Sequence, residues 1–383
     1  TENISQKWLD NFFHALTFRL NYIKNSTKLN FGGFYSVYDG DHYGKIIWAD
    51  NIPYDLINNK FYENNGIKKE LSFFIKLKET ISTKTSIFFD AQIRTLNYSI
   101  NGTIKGPEIF KVNDSFTFFN PKAGIIFNIN DLNNLYFSYA NAKREPNRSD
   151  YKNGNPVSET LNDFEFGWRY INNKIKIKAN LYWMEYFDQL VLTGAIDDVG
   201  LPIRENIGNS RRVGLEIDSS INLNKSLFWG LNFSFSSNKN LDYFFERDGI
   251  LKSLGKTNLS FSPNLISASQ LNYKISKNLN FILLSKYVSK QYMGNIDSKL
   301  SILPSYLISD LNFSYIIEPF KILKKISFSF LVNNFLNKEY ISNGYFYTFD
   351  DTWSDPNLIK TVEGVGFYPQ AKRNFLIGIS ILF

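Results

Sequence analysis

The sequence predicts an all-β protein, a transmembrane antiparallel β-barrel, on three observations. Apolar residues recur at every second position in segment after segment. No segment joins a 3.6-residue apolar period to helix caps. Short and long connections alternate along the whole chain. The first observation suits a soluble sandwich as well as a barrel. The third decides between them, because an outer-membrane barrel has short periplasmic turns at one rim and long extracellular loops at the other. Only closure satisfies every backbone group in lipid.

The strands follow in order. About fifteen are expected, over 10–23, 27–39, 69–80, 84–100, 115–129, 134–143, 158–171, 173–194, 204–222, 226–238, 263–276, 278–291, 304–317, 325–337 and 370–383. In 84–100, Ile87, Phe89, Ala91 and Ile93 alternate with Phe88, Asp90, Gln92 and Arg94. In 173–194, Ile175, Ile177, Ala179, Leu181 and Trp183 alternate with Lys174, Lys176, Lys178, Asn180 and Tyr182. In 226–238, Leu227, Trp229, Leu231, Phe233 and Phe235 alternate with Phe228, Gly230, Asn232, Ser234 and Ser236. The chain ends on Phe375, Ile377, Ile379, Ile381 and Phe383, expected to face lipid with the last ring at the periplasmic interface.

Short connections fall near 24–27, 80–83, 129–134, 171–173, 222–226 and 276–278, with a slightly longer one at 318–325. Long, Gly/Asn/Asp-rich connections are expected at 40–68, 101–115, 143–158, 194–204, 237–262, 291–304 and 338–369.

Composition narrows the class. The 383 residues contain no linker-like stretch, so one large architecture fits better than several domains. There is no cysteine, which excludes a disulfide scaffold and Cys-based zinc sites. The net charge of +7 is spread among acidic residues, without the basic tract of a nucleic-acid binder. No run is long and apolar enough for a membrane helix. The mean hydropathy of −0.25 is compatible with a barrel, in which half of each strand faces lipid.

The first and last strands both run towards the periplasm, so the count is odd. Single-chain bacterial barrels have even counts. The chain is therefore expected to be the C-terminal part of a larger barrel; in a 22-stranded one, about seven strands and the plug would lie elsewhere.

Specific motifs accompany this pattern. Residues 120–151 read NPKAGIIFNINDLNNLYFSYANAKREPNRSDY, with Asn120-Pro121-Lys122-Ala123-Gly124, Tyr136-Phe137-Ser138-Tyr139-Ala140 and Arg144-Glu145-Pro146. SETLNDFEFGWRY (158–170), NLYWMEYFDQLVLTG (180–194), NIGNSRRVGLEID (206–218), VNNFLNKEY (332–340) and YPQAKRNFLIGISILF (368–383) follow. In this order they resemble the barrel of TonB-dependent receptors, and YDGDHYGKIIWA (38–49) with YENNGIKKE (62–70) resembles the Bacteroidetes-type members.

The resemblance implies a 22-stranded barrel with an N-terminal plug, placed in the outer membrane of a Gram-negative cell. It implies energy from the TonB–ExbB–ExbD complex through that plug. The implied cargo is an iron chelate, cobalamin, or an oligosaccharide or peptide. The terminal Phe383 resembles the signal offered to the barrel assembly machinery. A passive pore or structural barrel working with a separate N-terminal chain is the alternative, as is a degraded receptor remnant. No cofactor is implied.

Nothing suggests an enzyme. His14 and His42 lack metal-site spacing, and His42, beside Asp39 and Asp41, reads as a polar loop residue rather than part of a hydrolase site. The candidate ligand-binding residues lie in extracellular loops. Arg144 and Arg148 offer forked donors for carboxylates or chelate anions, with Asp150 and Tyr151 beside them. The alternative, which the loop favours, is that the same residues tie it to its neighbours by ion pairs. Arg212 and Glu216 read as lumen-facing wall residues. Tyr345, Tyr347 and Trp353, with Phe346 and Phe349, either stack on a ligand or join the interface girdle.

Overall fold

The computed structural model describes residues 2–50, 53, 57–104, 108–196, 202–206, 208–318, 324–355 and 357–383. Most of the expected connection at 318–325 and the middle of that at 194–204 lie outside the described residues. Two compact units divide the chain: Thr1–Ile125 with Ala140–Thr160, and Ile126–Tyr139 with Leu161–Phe383.

The first unit is built from β1 (Asn3–Lys24), β2 (Thr27–Ala49), β3 (Lys60–Thr80), β4 (Thr85–Thr103) and most of β5 (Ile109–Asn128). After β6 (Asn133–Arg144) come β7 (Glu159–Ile171), β8 (Ile175–Phe187), β9 (Leu190–Ile196), β10 (Pro202–Asn206) and β11 (Ser210–Asn222). Then follow β12 (Leu227–Arg247), β13 (Ile250–Asn258), β14 (Leu265–Lys274), β15 (Leu279–Val288), β16 (Gln291–Tyr292) and β17 (Ile302–Leu303). The chain closes with β18 (Tyr306–Ile317), β19 (Lys325–Asn333), β20 (Ile341–Asp351), β21 (Lys360–Pro369) and β22 (Asn374–Leu382).

All pairing within each unit is antiparallel. In the first unit β1 pairs β2, β2 pairs β3 and β3 pairs β4. In the second the order runs β8-β11-β12-β14-β15-β18-β19-β22. Each of the fifteen expected strands is present, as β1–β8, β11, β12, β14, β15, β18, β19 and β22. The fold is all-β, and no helix among the described residues is long and apolar enough to cross a membrane, which says nothing of crossing by strands.

The register explains why these sequences make a wall. Across β3 and β4, Phe73 faces Ile93, Ile75 faces Ala91 and Leu77 faces Phe89, while Gln92 and Arg94 take the other side. Phe31 and Tyr35 of β2 continue the apolar face opposite Ile75 and Leu71. In the second unit a row of phenyl rings crosses four strands: Phe281–Phe313 at 5.0 Å, Phe313–Phe330 at 6.5 Å and Phe330–Phe375 at 6.1 Å. Ile377 on the last strand is 77% exposed. An apolar sheet face this extensive suits the lipid-facing side of a membrane-barrel wall.

Burial is concentrated instead where the long connections begin. Ile100, Phe110 and Val112 form one cluster, Val191, Tyr243 and Leu259 a second, and Met293, Leu303 and Phe346 a third.

Several connections expected to be irregular are strand. The ladder of β2 with β3 runs on to Lys45 and Lys60, and β12 continues to Arg247 and turns into β13. The segment 338–369 holds the hairpin β20–β21. Continued pairing satisfies backbone donors and acceptors that a bare loop would leave to water. The expected strand 173–194 is instead two strands, broken at Asp188 with φ 52°. Between β10 and β11, Gly208 at φ 83° breaks 204–222 likewise.

Candidate ligand-binding site

The loop that follows β6 is shaped by its own short side chains. Asn147 accepts from the Ser149 amide at 2.8 Å, and Asp150 accepts from the Asn147 amide at 2.7 Å. A single 3-10 turn, Asp150–Asn153, closes it. These Asx contacts let the chain reverse without strain.

The loop is then bound to its unit through charge. Lys68 of β3 donates to Glu145 at 2.6 Å, and Arg94 of β4 reaches Glu145 at 3.1 and 3.2 Å. Arg94 also forks onto Glu70 at 2.8 and 2.9 Å. Two cations thus meet two carboxylates in a partly buried site. Burial pushes the Glu145 carboxyl up, but the hydrogen bonds from Lys68 and Arg94 outweigh it and bring the group down to about 2.

All four loop residues expected to bind ligand lie here, and each has a protein partner. Arg144 donates to Glu159 at 2.6 Å. Tyr151 donates to Asp114 at 2.7 Å, and burial followed by that carboxylate raises its phenol well above the usual value. Arg148 donates to Asn64, and its guanidinium lies 5.3 Å over the Phe110 ring. Its other terminal nitrogen is buried without a hydrogen bond, as is one carboxylate oxygen of Asp150. Burial lowers the Arg148 pKa, opposed by the surrounding Tyr98, Tyr38 and Tyr62. The loop therefore holds one half-buried cation walled by phenols, with one terminal nitrogen enclosed and lacking a close acceptor. Such a group can take an anion's oxygen.

Glu145, Lys68, Arg94, Glu70, Asn64 and Asp114 were not anticipated as members. Glu145 was visible in Arg144-Glu145-Pro146, but its partners sit 77 and 51 positions away in sequence. Asp39 and Asp41, beside His42, both accept from Asn65, at 2.7 and 2.8 Å.

In the second unit Arg211 pairs with Glu185 at 2.8 Å and lies 4.8 Å over Trp183. Arg212 donates to Tyr186 at 2.8 Å. The aromatic candidates Tyr345 and Tyr347 lie on β20, with Trp353 just beyond it. Tyr345–Tyr347 and Tyr347–Phe349 stack at 6.2 Å each, and Phe349–Trp353 at 5.6 Å. Among the described residues no group of three or more histidines and carboxylates is placed to hold a metal ion.

The family model described as "TonB dependent receptor-like, beta-barrel" matches residues 2–335. The chain belongs to this family. The members are transport receptors of the Gram-negative outer membrane, not enzymes. No curated protein matches the sequence.

Among solved structures, this TonB-dependent receptor barrel is similar to the ferric yersiniabactin uptake receptor FyuA of Yersinia pestis, with a TM-score of 0.69 and 13% identity over 99% of this chain and 55% of that one. The siderophore receptor PiuA of Acinetobacter baumannii gives 0.72 and 16%, over 98% and 56%. The copper transporter OprC gives 0.72 and 14%, over 98% and 57%. At these identities the likeness is one of fold. The chain spans little more than half the length of these neighbours.

Proposed function

We propose that this chain is the C-terminal part of the barrel of an outer-membrane receptor that binds and imports a scarce nutrient with TonB-derived energy. The plug and the contact with TonB–ExbB–ExbD would come from the remainder of the receptor, and Phe383 would address the strand to the barrel assembly machinery. In this reading the cargo is an anionic metal chelate. What supports it is the Arg148 guanidinium, held half-buried in the loop after β6 among Tyr98, Tyr38 and Tyr62, with one enclosed terminal nitrogen lacking a close acceptor. Arg144, Asp150 and Tyr151 hold that loop, so they act on the ligand mainly by fixing Arg148. The iron-chelate neighbours accord with this class of cargo, and the copper transporter widens it. The motifs at 38–49 and 62–70 further favour a Bacteroidetes-type receptor.

The test is chelate binding by the full-length receptor in outer membranes. Arg148→Ala lowers affinity for an anionic ferric chelate by about 10- to 100-fold, the weight of one or two charge-assisted hydrogen bonds. Arg148→Lys restores little, because an ammonium lacks the planar fork. Unchanged affinity in Arg148→Ala removes the site and leaves the family intact.

A further inference from the structure

The short turns of the second unit share one construction. Between β7 and β8, Asn172 accepts from the Lys174 and Ile175 amides at 2.8 and 2.6 Å. Between β11 and β12, Asn224 accepts from the Ser226 and Leu227 amides at 2.8 and 2.9 Å. Between β14 and β15, the Ser276 hydroxyl accepts from the Asn278 and Leu279 amides at 3.2 and 3.1 Å. A short side chain thus closes each reversal from within.

Each turn also carries a lysine in its tip: Lys174, Lys225 and Lys277. All three are exposed, and no ammonium group takes part in the bonds that close the turn. The three turns contain no acidic residue, and Lys274 at the end of β14 adds charge beside the third. They follow one another along one rim of the sheet, where the strand order is β7-β8-β11-β12-β14-β15. Two strand widths separate each lysine from the next, roughly 10 Å. The long connection 338–369 of the same unit holds more acids than bases, so the positive charge belongs to the short-turn rim.

A band of aromatic residues lies just inside this row. Trp168 on β7, Trp229 on β12 and Tyr273 on β14 are exposed. They stand on the apolar face: Tyr273 is the register partner of Phe281, and Trp229 that of Leu271. Trp168 follows the exposed Phe164 and Phe166 at alternate positions of β7. Such rings settle where hydrocarbon meets headgroup. Two or three residues separate each ring from its turn. At about 3.3 Å per residue and a tilt of about 40°, that is roughly 5–8 Å of height. One headgroup layer is about as thick. The lysine tips therefore stand at the level of the lipid phosphates.

We propose that Lys174, Lys225 and Lys277 form a docking row for anionic phospholipid headgroups in the leaflet at the short-turn rim. The inference rests on the reading of this sheet as a membrane-barrel wall and is independent of import. A zwitterionic headgroup brings its own cation to the phosphate. A row of ammonium groups without acids gains chiefly from lipids of net negative charge.

The experiment is fluorescence quenching of the intact receptor in phosphatidylcholine vesicles doped with brominated phosphatidylglycerol or brominated phosphatidylcholine. The part of the quenching lost in Trp229→Phe reports the lipid beside Lys225. For that part, phosphatidylglycerol is expected to be about fivefold more effective at equal mole fraction, the weight of one lysine at a charged surface. The preference should vanish when Lys174→Gln, Lys225→Gln and Lys277→Gln are combined, survive when the same three become Arg, and shrink in about 1 M salt. Equal quenching by the two lipids, or a preference that survives the Gln changes, overturns the proposal alone. Absence of Trp229 quenching by either lipid overturns the membrane reading of this face and the proposal with it.

Discussion

Glu145 shows at the scale of one residue how the loop after β6 is held. Its side chain is about nine-tenths buried, and its pKa of about 2 lies below the ordinary 4.5. A depressed carboxyl pKa adds stability that is full above the unfolded value and is lost as pH falls through the folded one. The loop is therefore expected to keep its protease resistance above pH 4.5 and lose it progressively towards pH 2. Glu145→Ala leaves Lys68 short of its partner and Arg94 with Glu70 alone, at a cost of about 3 kcal/mol. Limited proteolysis across a pH series measures both, and an unchanged cleavage profile in Glu145→Ala would sink the assignment. Gly364 gives a second test at this scale. Gly364→Ala is expected to loosen the hairpin by about 1 kcal/mol, read as faster amide exchange in β20. Adding Tyr347→Ala should remove that cost, because the clash is with its ring.

At the scale of the element, the strands were legible because each carries a period of two over many residues: all fifteen have a counterpart in the structure, two of them, 173–194 and 204–222, each broken into a pair. What the pattern hid was their continuation. The upper halves of β2, β3 and β12 hold Gly, Asn, Asp and Lys, such as the Asp39-Gly40-Asp41 run, which read as loop composition. They pair nonetheless, since an antiparallel partner is already aligned beside them. The hairpin β20–β21 was hidden for the same reason, although its aromatics were visible as a group. The loop site was legible only in part: Arg148 and Tyr151 are named by their chemistry, whereas Asn64 and Asp114 become partners only through the register of distant strands. The lipid face yields a prediction here. Ile379→Arg on β22 should cost about 2–4 kcal/mol of folding stability in lipid, and Ser380→Arg, on the opposite face, much less. Urea titration from vesicles separates them, and equal costs would contradict the facing drawn from the alternation of 375–383 and the ring row that ends on Phe375.

At the scale of the molecule, neither unit has a compact interior of globular type. The buried apolar residues gather in small clusters near the long connections, while the strands carry one apolar and one more polar face. Stability in such an architecture comes from the ladders and from the bilayer, which removes the apolar face from water. Transfer from lipid into a short-chain detergent is thus expected to lower the melting temperature of the whole wall. The loop site, held by ion pairs, should respond instead to salt and acid. Melting followed by strand signal and by loop proteolysis would then separate; identical dependence on detergent and on salt would argue against two sources of stability.

The strand β1 has β2 as its one partner among the described residues. In a completed barrel the amides of β1 that alternate with those bonded to β2 would enter a second ladder. These amides are a clock for assembly. Before another strand zips against them they would exchange in deuterated buffer at the rate of open backbone, and afterwards fall silent together. Reading alternate residues of one segment, from Asn3 to Lys24, would time barrel completion in a living membrane without any label being added.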